Sequence, residues 1–202
     1  MNKIDFSVNP RLEKQLNFII EIDRIKSIFR KSVLFDKSRF ENDAEHSWTI
    51  CVMAMLLKEY ADFEVNLEKV IQMLLIHDVV ELDAGDTFLY SSQRDSAHEK
   101  EEIAAQRIFG LLEADQKEQY LSLWNEFEDR KTNEAKFASV FDRLEPLLQN
   151  YISEGFTWKK HHVTYQMVID KNRHIQDASK EIWEFVLVLL RHALEKGYLA
   201  KE

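Results

Sequence analysis

Five ionisable side chains lie close together within an otherwise apolar segment. The stretch IQMLLIHDVVELDAGDTF, residues 71–88, contains His77, Asp78, Glu81, Asp83 and Asp86. Burying any one of these groups is costly unless it is paired or bound to a metal. A helix would place His77 and Glu81, four residues apart, on one face. These groups therefore need partners elsewhere in the chain.

Two further ionisable residues interrupt apolar helical patterns. His46 follows Glu45 at the start of a segment whose later turns are strongly apolar, so we expect its imidazole to point toward the interior. Asp142 lies within KFASVFDRLEPLLQN, among apolar residues at core spacing. Together with His77 and Asp78, these residues make a set of two imidazoles and two carboxylates. Such a set suits a divalent transition metal such as Mn, Fe, Co, Ni or Zn.

Helix start and stop signals indicate which elements position these residues. Asn9-Pro10 predicts a helix that runs to about Arg30, and Asn42 with Glu45 fits a capping box. Asn66 begins a helix that we expect to stop near Gly85. Further helices are predicted over about 96–113, 115–127, 133–152 and from 182 to about 197. Without a convincing period-two strand, a repeat or a linker, the sequence predicts one all-α domain of six to eight helices over residues 1–202, with a core of about 11–199.

The composition limits the class of partner. The 202-residue chain is 45% hydrophobic and 31% charged, with a net charge of −9. This acidity argues against a nucleic-acid polymer or an anionic membrane, although it does not forbid a small phosphorylated substrate. The N-terminus MNKIDFSVNPRLEKQ has no apolar signal region, and the apolar runs are too short for a membrane span. We therefore expect a cytoplasmic protein.

The order of the candidate ligands resembles a known signature. His46, then His77-Asp78, then Asp142 is similar to the pattern of the HD-superfamily metal-dependent phosphohydrolases. Four segments resemble an HD-domain hydrolase family related to the bacterial 5'-deoxynucleotidase. They are DRIKSIFRKS, ENDAEHSW, MLLIHDVVELDAGDTF and FDRLEPLLQN. The resemblance covers about Arg11 to Leu199. It implies an all-helical HD domain that binds one divalent metal, hydrolyses nucleoside 5'-monophosphates and forms a homodimer.

The resemblance also implies roles for individual residues. It makes His46, His77, Asp78 and Asp142 the metal ligands. Glu81 matches the catalytic carboxylate that orients or activates the attacking water. Asp86 matches a carboxylate that contacts the sugar hydroxyls or assists proton transfer.

Phosphate binding is assigned to arginine. Arg24 matches the family's phosphate-binding arginine, whose guanidinium can hold two phosphate oxygens. Arg39 and Lys26 are weaker phosphate candidates from their position alone. In the deoxynucleotidase a tryptophan follows this arginine, whereas Ile25 follows Arg24 here, so the resemblance does not extend to a preference for a 2'-deoxy sugar.

A single metal ion is expected. Two-metal members of the superfamily carry further histidines between the HD pair and the last aspartate, and here that interval contains only His98. Two other interpretations stay open. The first is hydrolysis of a nucleoside triphosphate or a guanosine polyphosphate, which would need more cationic residues near the motifs. The second is a nucleotide-sensing protein that keeps the metal without turnover, against which the presence of both Glu81 and Asp86 argues.

Overall fold

Helices form most of the structure, a computed structural model that describes residues 3–6, 8–91 and 94–201, with the backbone alone for residues 94–97. Within these described ranges, seven helices have ten or more residues, in agreement with the six to eight predicted. In chain order the helical segments are α1 Pro10–Ile22, α2 Asp43–Leu56, α3 Leu67–Ile76, α4 Glu81–Ala84, α5 Arg94–Phe109, α6 Ala114–Asp129, α7 Asn133–Ile152, α8 Phe156–Lys160, α9 Tyr165–Asn172 and α10 Lys180–Glu195.

Side-chain caps begin the helices where the sequence indicates them. Asn9 accepts a hydrogen bond from the backbone N–H of Leu12, with Pro10 at the first helical position. Asn42 and Glu45 form the complete capping box of α2. Asn66 accepts from the N–H of Lys69 at the start of α3. Each cap satisfies an N–H that the helix leaves free, so the three helix starts are fixed locally.

The region between α1 and α2 differs from the prediction. α1 ends at Ile22 instead of near Arg30, and a 3-10 helix, Asp23–Ser27, follows it. Two antiparallel strands then pair, β1 Phe29–Val33 and β2 Phe40–Asn42. Val33 on β1 and Glu41 on β2 are both buried, and the pairing places residues 29–33 in a strand in place of the predicted helix. As a result, Arg30 lies on a strand.

The predicted helix from Asn66 to Gly85 is divided at its ionisable residues. α3 ends at Ile76, and a 3-10 helix, His77–Val80, separates it from α4. Gly85 ends α4 with φ of 75°, a conformation that glycine adopts without strain. The tighter turn changes the direction in which His77 and Asp78 project, so they do not follow regular α-helical spacing.

Helix α7 is the central element of the core. It packs against α2, α3 and α6, and it buries Phe137, Phe141 and Leu144. Pro146 lies inside α7 and has no N–H, so the carbonyl of Asp142 does not receive its usual helical hydrogen bond. One backbone hydrogen bond of α7 is therefore missing at a candidate metal ligand. Among the described residues, the helices are too short or not apolar enough to span a bilayer.

Candidate metal centre

Four buried side chains from three elements converge at one point. His46 comes from α2, His77 and Asp78 from the 3-10 helix after α3, and Asp142 from α7. The Nε2 atoms of His46 and His77 lie 3.4 and 3.7 Å from Oδ1 of Asp142. Oδ2 of Asp78 lies 3.1 Å from Nε2 of His77 and 3.9 Å from Nε2 of His46. Atoms that each bind one ion at about 2.0–2.2 Å are separated by roughly 3–4 Å, so these spacings suit a shared cation.

The second nitrogen of each imidazole fixes its orientation. Nδ1 of His46 lies 3.2 Å from Oε2 of Glu145, and Nδ1 of His77 lies 2.9 Å from the carbonyl oxygen of Leu74. With the proton on Nδ1, the lone pair is on Nε2. Neither buried Nε2 forms a hydrogen bond with any part of the chain that the structure describes. The two Nε2 lone pairs lack hydrogen-bond partners and lie close to two carboxylates, an arrangement that fits a divalent metal ion.

The negative charges of Asp78 and Asp142 favour a bound proton at this site as well as a bound metal ion. Burial lowers the pKa of His77, but Asp78 and Asp142 outweigh it and raise that pKa to about 10. The negative field that would hold a metal thus also favours a proton on His77. Metal binding and protonation at this site therefore compete.

Arg30 is a site residue that the sequence analysis missed. One guanidinium nitrogen lies 2.6 Å from Oδ2 of Asp78 and 3.4 Å from Oδ1 of Asp43. Burial lowers the pKa of Arg30, but Asp78, Glu81 and Asp142 outweigh it, so its pKa lies well above the ordinary value. The signal that could have identified it is strand alternation in FRKSV, which places Arg30 and Ser32 on one face.

The structure does not bring the predicted phosphate ligands Arg24, Arg39 and Lys26 to the centre. Arg24 lies in the 3-10 helix after α1 and bonds Glu21 at 2.6 Å. Arg39 donates a hydrogen bond of 2.8 Å to Glu45, a member of the capping box of α2. Lys26 forms an ion pair with Asp23. All three are solvent-exposed surface residues. Because α1 stops at Ile22, Arg24 lies outside that helix, whereas Arg30 lies on β1 and lines the cavity.

Glu81 and Asp86 line the same cavity as His77, Asp78 and Asp142. Burial raises the pKa of Glu81 well above its ordinary value, and Asp78 and Asp43 raise it further. Burial also raises the pKa of Asp86, while Arg30 lowers it. One carboxylate oxygen of each has no hydrogen bond among the described residues. Both groups therefore present polar atoms that a substrate or water could bind.

The cavity itself is large and strongly charged. It has a volume of about 570 Å³, within the range of small-molecule sites. Four cationic residues line it, namely Arg30, Lys31, Arg130 and Arg143. Six carboxylates line it as well: Asp78, Glu81, Asp86, Glu101, Glu128 and Asp142. The sequence analysis missed Arg130, Arg143 and Glu128, which no local motif distinguishes from surface residues.

Comparison with known proteins identifies relatives over most of the chain. The family model described as HD domain matches residues 22–183. The 5'-deoxynucleotidase HDDC2 of Homo sapiens is 29% identical over 136 residues, which make up 66% of this chain and 65% of that protein. The match thus spans slightly less than two thirds of the human protein. A 5'-deoxynucleotidase of Schizosaccharomyces pombe is 25% identical over 188 residues, 90% of this chain and 85% of its own.

Solved structures show the same fold. A protein of Magnetospirillum magnetotacticum named "Predicted metal-dependent phosphohydrolase" has a TM-score of 0.91 and 49% identity, covering 95% of this chain and 96% of its own. An HD-domain phosphohydrolase of Listeria innocua has a TM-score of 0.59 and 19% identity, over 90% of this chain and 86% of its own. The latter supports the fold alone. The predicted all-α architecture is confirmed.

Proposed function

The chain belongs to the HD domain family, and on that premise we propose that it is a metal-dependent phosphohydrolase that releases phosphate from a nucleoside 5'-monophosphate. One observation carries the proposal: the buried Nε2 atoms of His46 and His77 face Asp142 without hydrogen-bond partners in the described chain. His77 and Asp142 also line a cavity large enough for a nucleotide. The names of the relatives, 5'-deoxynucleotidase and metal-dependent phosphohydrolase, support the same reaction.

His46, His77, Asp78 and Asp142 would hold one divalent metal, for which Mn, Co, Fe, Ni and Zn are the candidates. When bound, such an ion supplies a Lewis acid for the phosphate and lowers the pKa of water. Glu145 and the carbonyl of Leu74 hold the two imidazoles in the tautomer that this binding requires.

Phosphate binding falls to Arg30 in this proposal. Its guanidinium is mostly buried at the cavity wall, so its charge is little screened by solvent. A planar guanidinium can hold two phosphate oxygens at once, and it would exchange part of its contact with Asp78 for the substrate. Arg30 would also stabilise the negative charge that develops on the transferred phosphoryl group.

Glu81 and Asp86 would move the protons. Glu81 would orient the attacking water and accept its proton, since it lines the cavity beside Asp78. Asp86 would bind the sugar hydroxyls or donate a proton to the 5'-oxygen as the phosphorus–oxygen bond breaks. Asp86 lines the same cavity, and one of its carboxylate oxygens has no hydrogen-bond partner among the described residues.

A phosphate-release assay tests the proposal. Metal-free protein is reconstituted separately with Mn²⁺, Co²⁺, Fe²⁺, Ni²⁺ and Zn²⁺ and offered ribo- and deoxynucleoside mono-, di- and triphosphates and a guanosine polyphosphate. We expect release from monophosphates with at least one metal. Four cationic side chains line the cavity and could also hold a polyphosphate. Preferential hydrolysis of the triphosphates or the guanosine polyphosphate would therefore favour the alternative polyphosphate hydrolase. Nucleotide binding without release under any metal would indicate a sensor and overturn the proposal.

We also propose that the chain acts as a cytoplasmic homodimer. Helix α2 exposes Trp48, Met55 and Leu56 to solvent, and Trp48 and Met55 are two turns apart on one side of the helix. Such an apolar stripe suits a self-association surface. Light scattering on the purified chain should give twice the chain mass, and Trp48→Glu should give the single mass. A native monomer would refute the dimer.

A further inference from the structure

Arg143 is a largely buried arginine with little compensating negative charge. It follows Asp142 on α7 and lines the cavity, with 15% of its side chain exposed. Its Nε is buried and has no hydrogen-bond partner among the described residues. Its Nη2 lies 3.6 Å from Oδ2 of Asp142, which is too long for a hydrogen bond. Because a buried cation is costly unless it is paired and hydrogen-bonded, Arg143 is suited to an anion that enters the cavity.

Arg30, by contrast, is already surrounded by carboxylates. One of its guanidinium nitrogens lies 2.6 Å from Asp78 and 3.4 Å from Asp43. Its Nε lies 3.9 Å from Glu41, which is also buried. A phosphate that binds Arg30 must therefore compete with carboxylates of the chain. The same phosphate meets less competition at Arg143.

Two ionisable neighbours of Arg143 carry no negative charge at pH 7. Burial raises the pKa of Tyr90 to about 12. Burial and the positive charges of Arg143 and Arg130 lower the pKa of His174 to about 4. Neither side chain offsets the charge of Arg143, and Arg130, which also lines the cavity, adds a second positive charge near His174.

The carboxylate of Asp142 lies between the two arginines. Nη2 of Arg30 is 3.9 Å from Oδ1 of Asp142, and Nη2 of Arg143 is 3.6 Å from Oδ2. The two nitrogens therefore lie at most roughly 10 Å apart, within reach of one phosphate that accepts a hydrogen bond of about 2.9 Å on each side. An anion beside Asp142 can thus contact both guanidinium groups.

We propose that Arg143 is a second phosphate-binding residue, which holds the phosphate of the substrate from the side opposite Arg30. This inference rests on the proposed function, because the anion is the phosphate group of a phosphomonoester. A bound phosphate would give the Arg143 guanidinium the hydrogen bonds and the counter-charge that the described chain does not supply. Arg143 would contribute to substrate affinity and to stabilisation of the charge on the transferred phosphoryl group.

A structural role for Arg143 is the competing explanation. In that case its guanidinium would serve only to hold Asp142 in place for the metal. The two explanations differ in what they predict for metal affinity. Removing a positive charge beside a metal ligand does not weaken the attraction of that ligand for a cation, whereas loss of the orientation of Asp142 would weaken it.

The test uses full-length protein loaded with stoichiometric Zn²⁺, with inorganic phosphate as the probe in calorimetry and phosphorus NMR. We expect Arg143→Gln to weaken phosphate binding by about 10–150-fold through loss of charged hydrogen bonds, and Arg143→Lys, which keeps the charge, to weaken it less. Arg191→Gln, on the exposed side of α10, is the matched control and should bind phosphate as the native chain does. Chelator competition should show Zn²⁺ affinity no weaker in Arg143→Gln than in the native chain.

Thermal unfolding should show both Arg143 variants folded, because the Arg143 guanidinium lacks a hydrogen bond from Nε and leaves no partner unsatisfied when it is removed. Arg143→Lys also retains a cation at this position and provides a second measurement of the same role.

Three outcomes would overturn the role of Arg143. The first is native protein that does not bind phosphate. The second is phosphate binding in Arg143→Gln within twofold of the native chain. The third is a loss of Zn²⁺ affinity in Arg143→Gln that parallels the loss of phosphate binding, which would assign Arg143 to the positioning of Asp142.

Nucleotide hydrolysis by the same variants separates this inference from the proposed function. Phosphate binding that depends on Arg143, without hydrolysis of any nucleotide, would support the role of Arg143 and overturn the proposed reaction. Hydrolysis of a nucleoside monophosphate with unchanged kcat/KM in Arg143→Gln would support the reaction and overturn the role of Arg143.

Discussion

Replacing Glu145 tests how the chain prepares its metal centre. Oε2 of Glu145 lies 3.2 Å from Nδ1 of His46, and the two side chains are 1% and 0% exposed. The carboxylate keeps the proton on Nδ1 and makes Nε2 a stronger donor to the metal. Loss of such a partner costs about 10–100-fold in metal affinity, equivalent to about 1.4–2.7 kcal/mol.

The surroundings of His46 indicate how far metal affinity should fall for two substitutions of Glu145. Glutamine keeps an acceptor oxygen, and Oε2 of Glu41 lies 3.7 Å from the same Nδ1 and can take over part of the role. We therefore expect Glu145→Gln to weaken binding by about tenfold and Glu145→Leu, which has no acceptor, by about 100-fold. Metal-free Glu145→Gln should be no less stable than the metal-free native chain. Burial and the negative charge of Glu145 together raise the pKa of Glu41 to about 7, and the substitution removes the repulsion between these two carboxylates.

The measurement is a competition titration of Mn²⁺ or Zn²⁺ against a chelator at fixed pH, paired with thermal unfolding of metal-free protein. Glu184→Gln, an exposed glutamate on α10, is the control and should match the native chain in both. Weaker metal binding without a lower melting temperature would separate a positioning role from a structural one. Unchanged affinity in Glu145→Leu would refute the reasoning.

Four shorter predictions follow from the same geometry. Glu81→Gln should lower phosphate release by about 10²–10⁴-fold while elemental analysis still finds bound metal; retained activity would remove Glu81 from the mechanism. Asp142→Ala should abolish the rise in melting temperature that added metal produces in the native chain, and a persisting rise would show that Asp142 is not a required ligand. Arg30→Ala should lower kcat/KM by roughly 10–150-fold through loss of charged hydrogen bonds, whereas Arg24→Ala should stay within about twofold; the reverse order would restore the sequence-based assignment. Burial raises the pKa of the Cys51 thiol to about 11, so little reactive thiolate exists at pH 8 and a thiol reagent should label the native chain slowly, with the rate rising at higher pH and on unfolding; rapid native labelling at pH 8 would contradict this burial.

Much of the helical framework could be predicted because its signals are local. A cap such as Asn42 with Glu45 satisfies N–H groups within three residues, so it can be recognised without knowledge of distant contacts. The span 133–152 was predicted and found, since its apolar period and its polar flanks agree. The four proposed metal ligands were also identifiable, because an ionisable residue inside an apolar pattern needs a partner wherever it lies.

What the sequence by itself determined is therefore the helix starts, the all-α class and the proposed ligand set with its family. Only the tertiary structure decided which arginine enters the cavity, because Arg30 lies on β1 and contacts Asp43 and Asp78, which are distant along the chain. It alone decided that Glu145 contacts His46, 99 residues away. Such contacts join residues distant along the chain, and their energies depend on burial and on through-space charge, which no local pattern of residues contains.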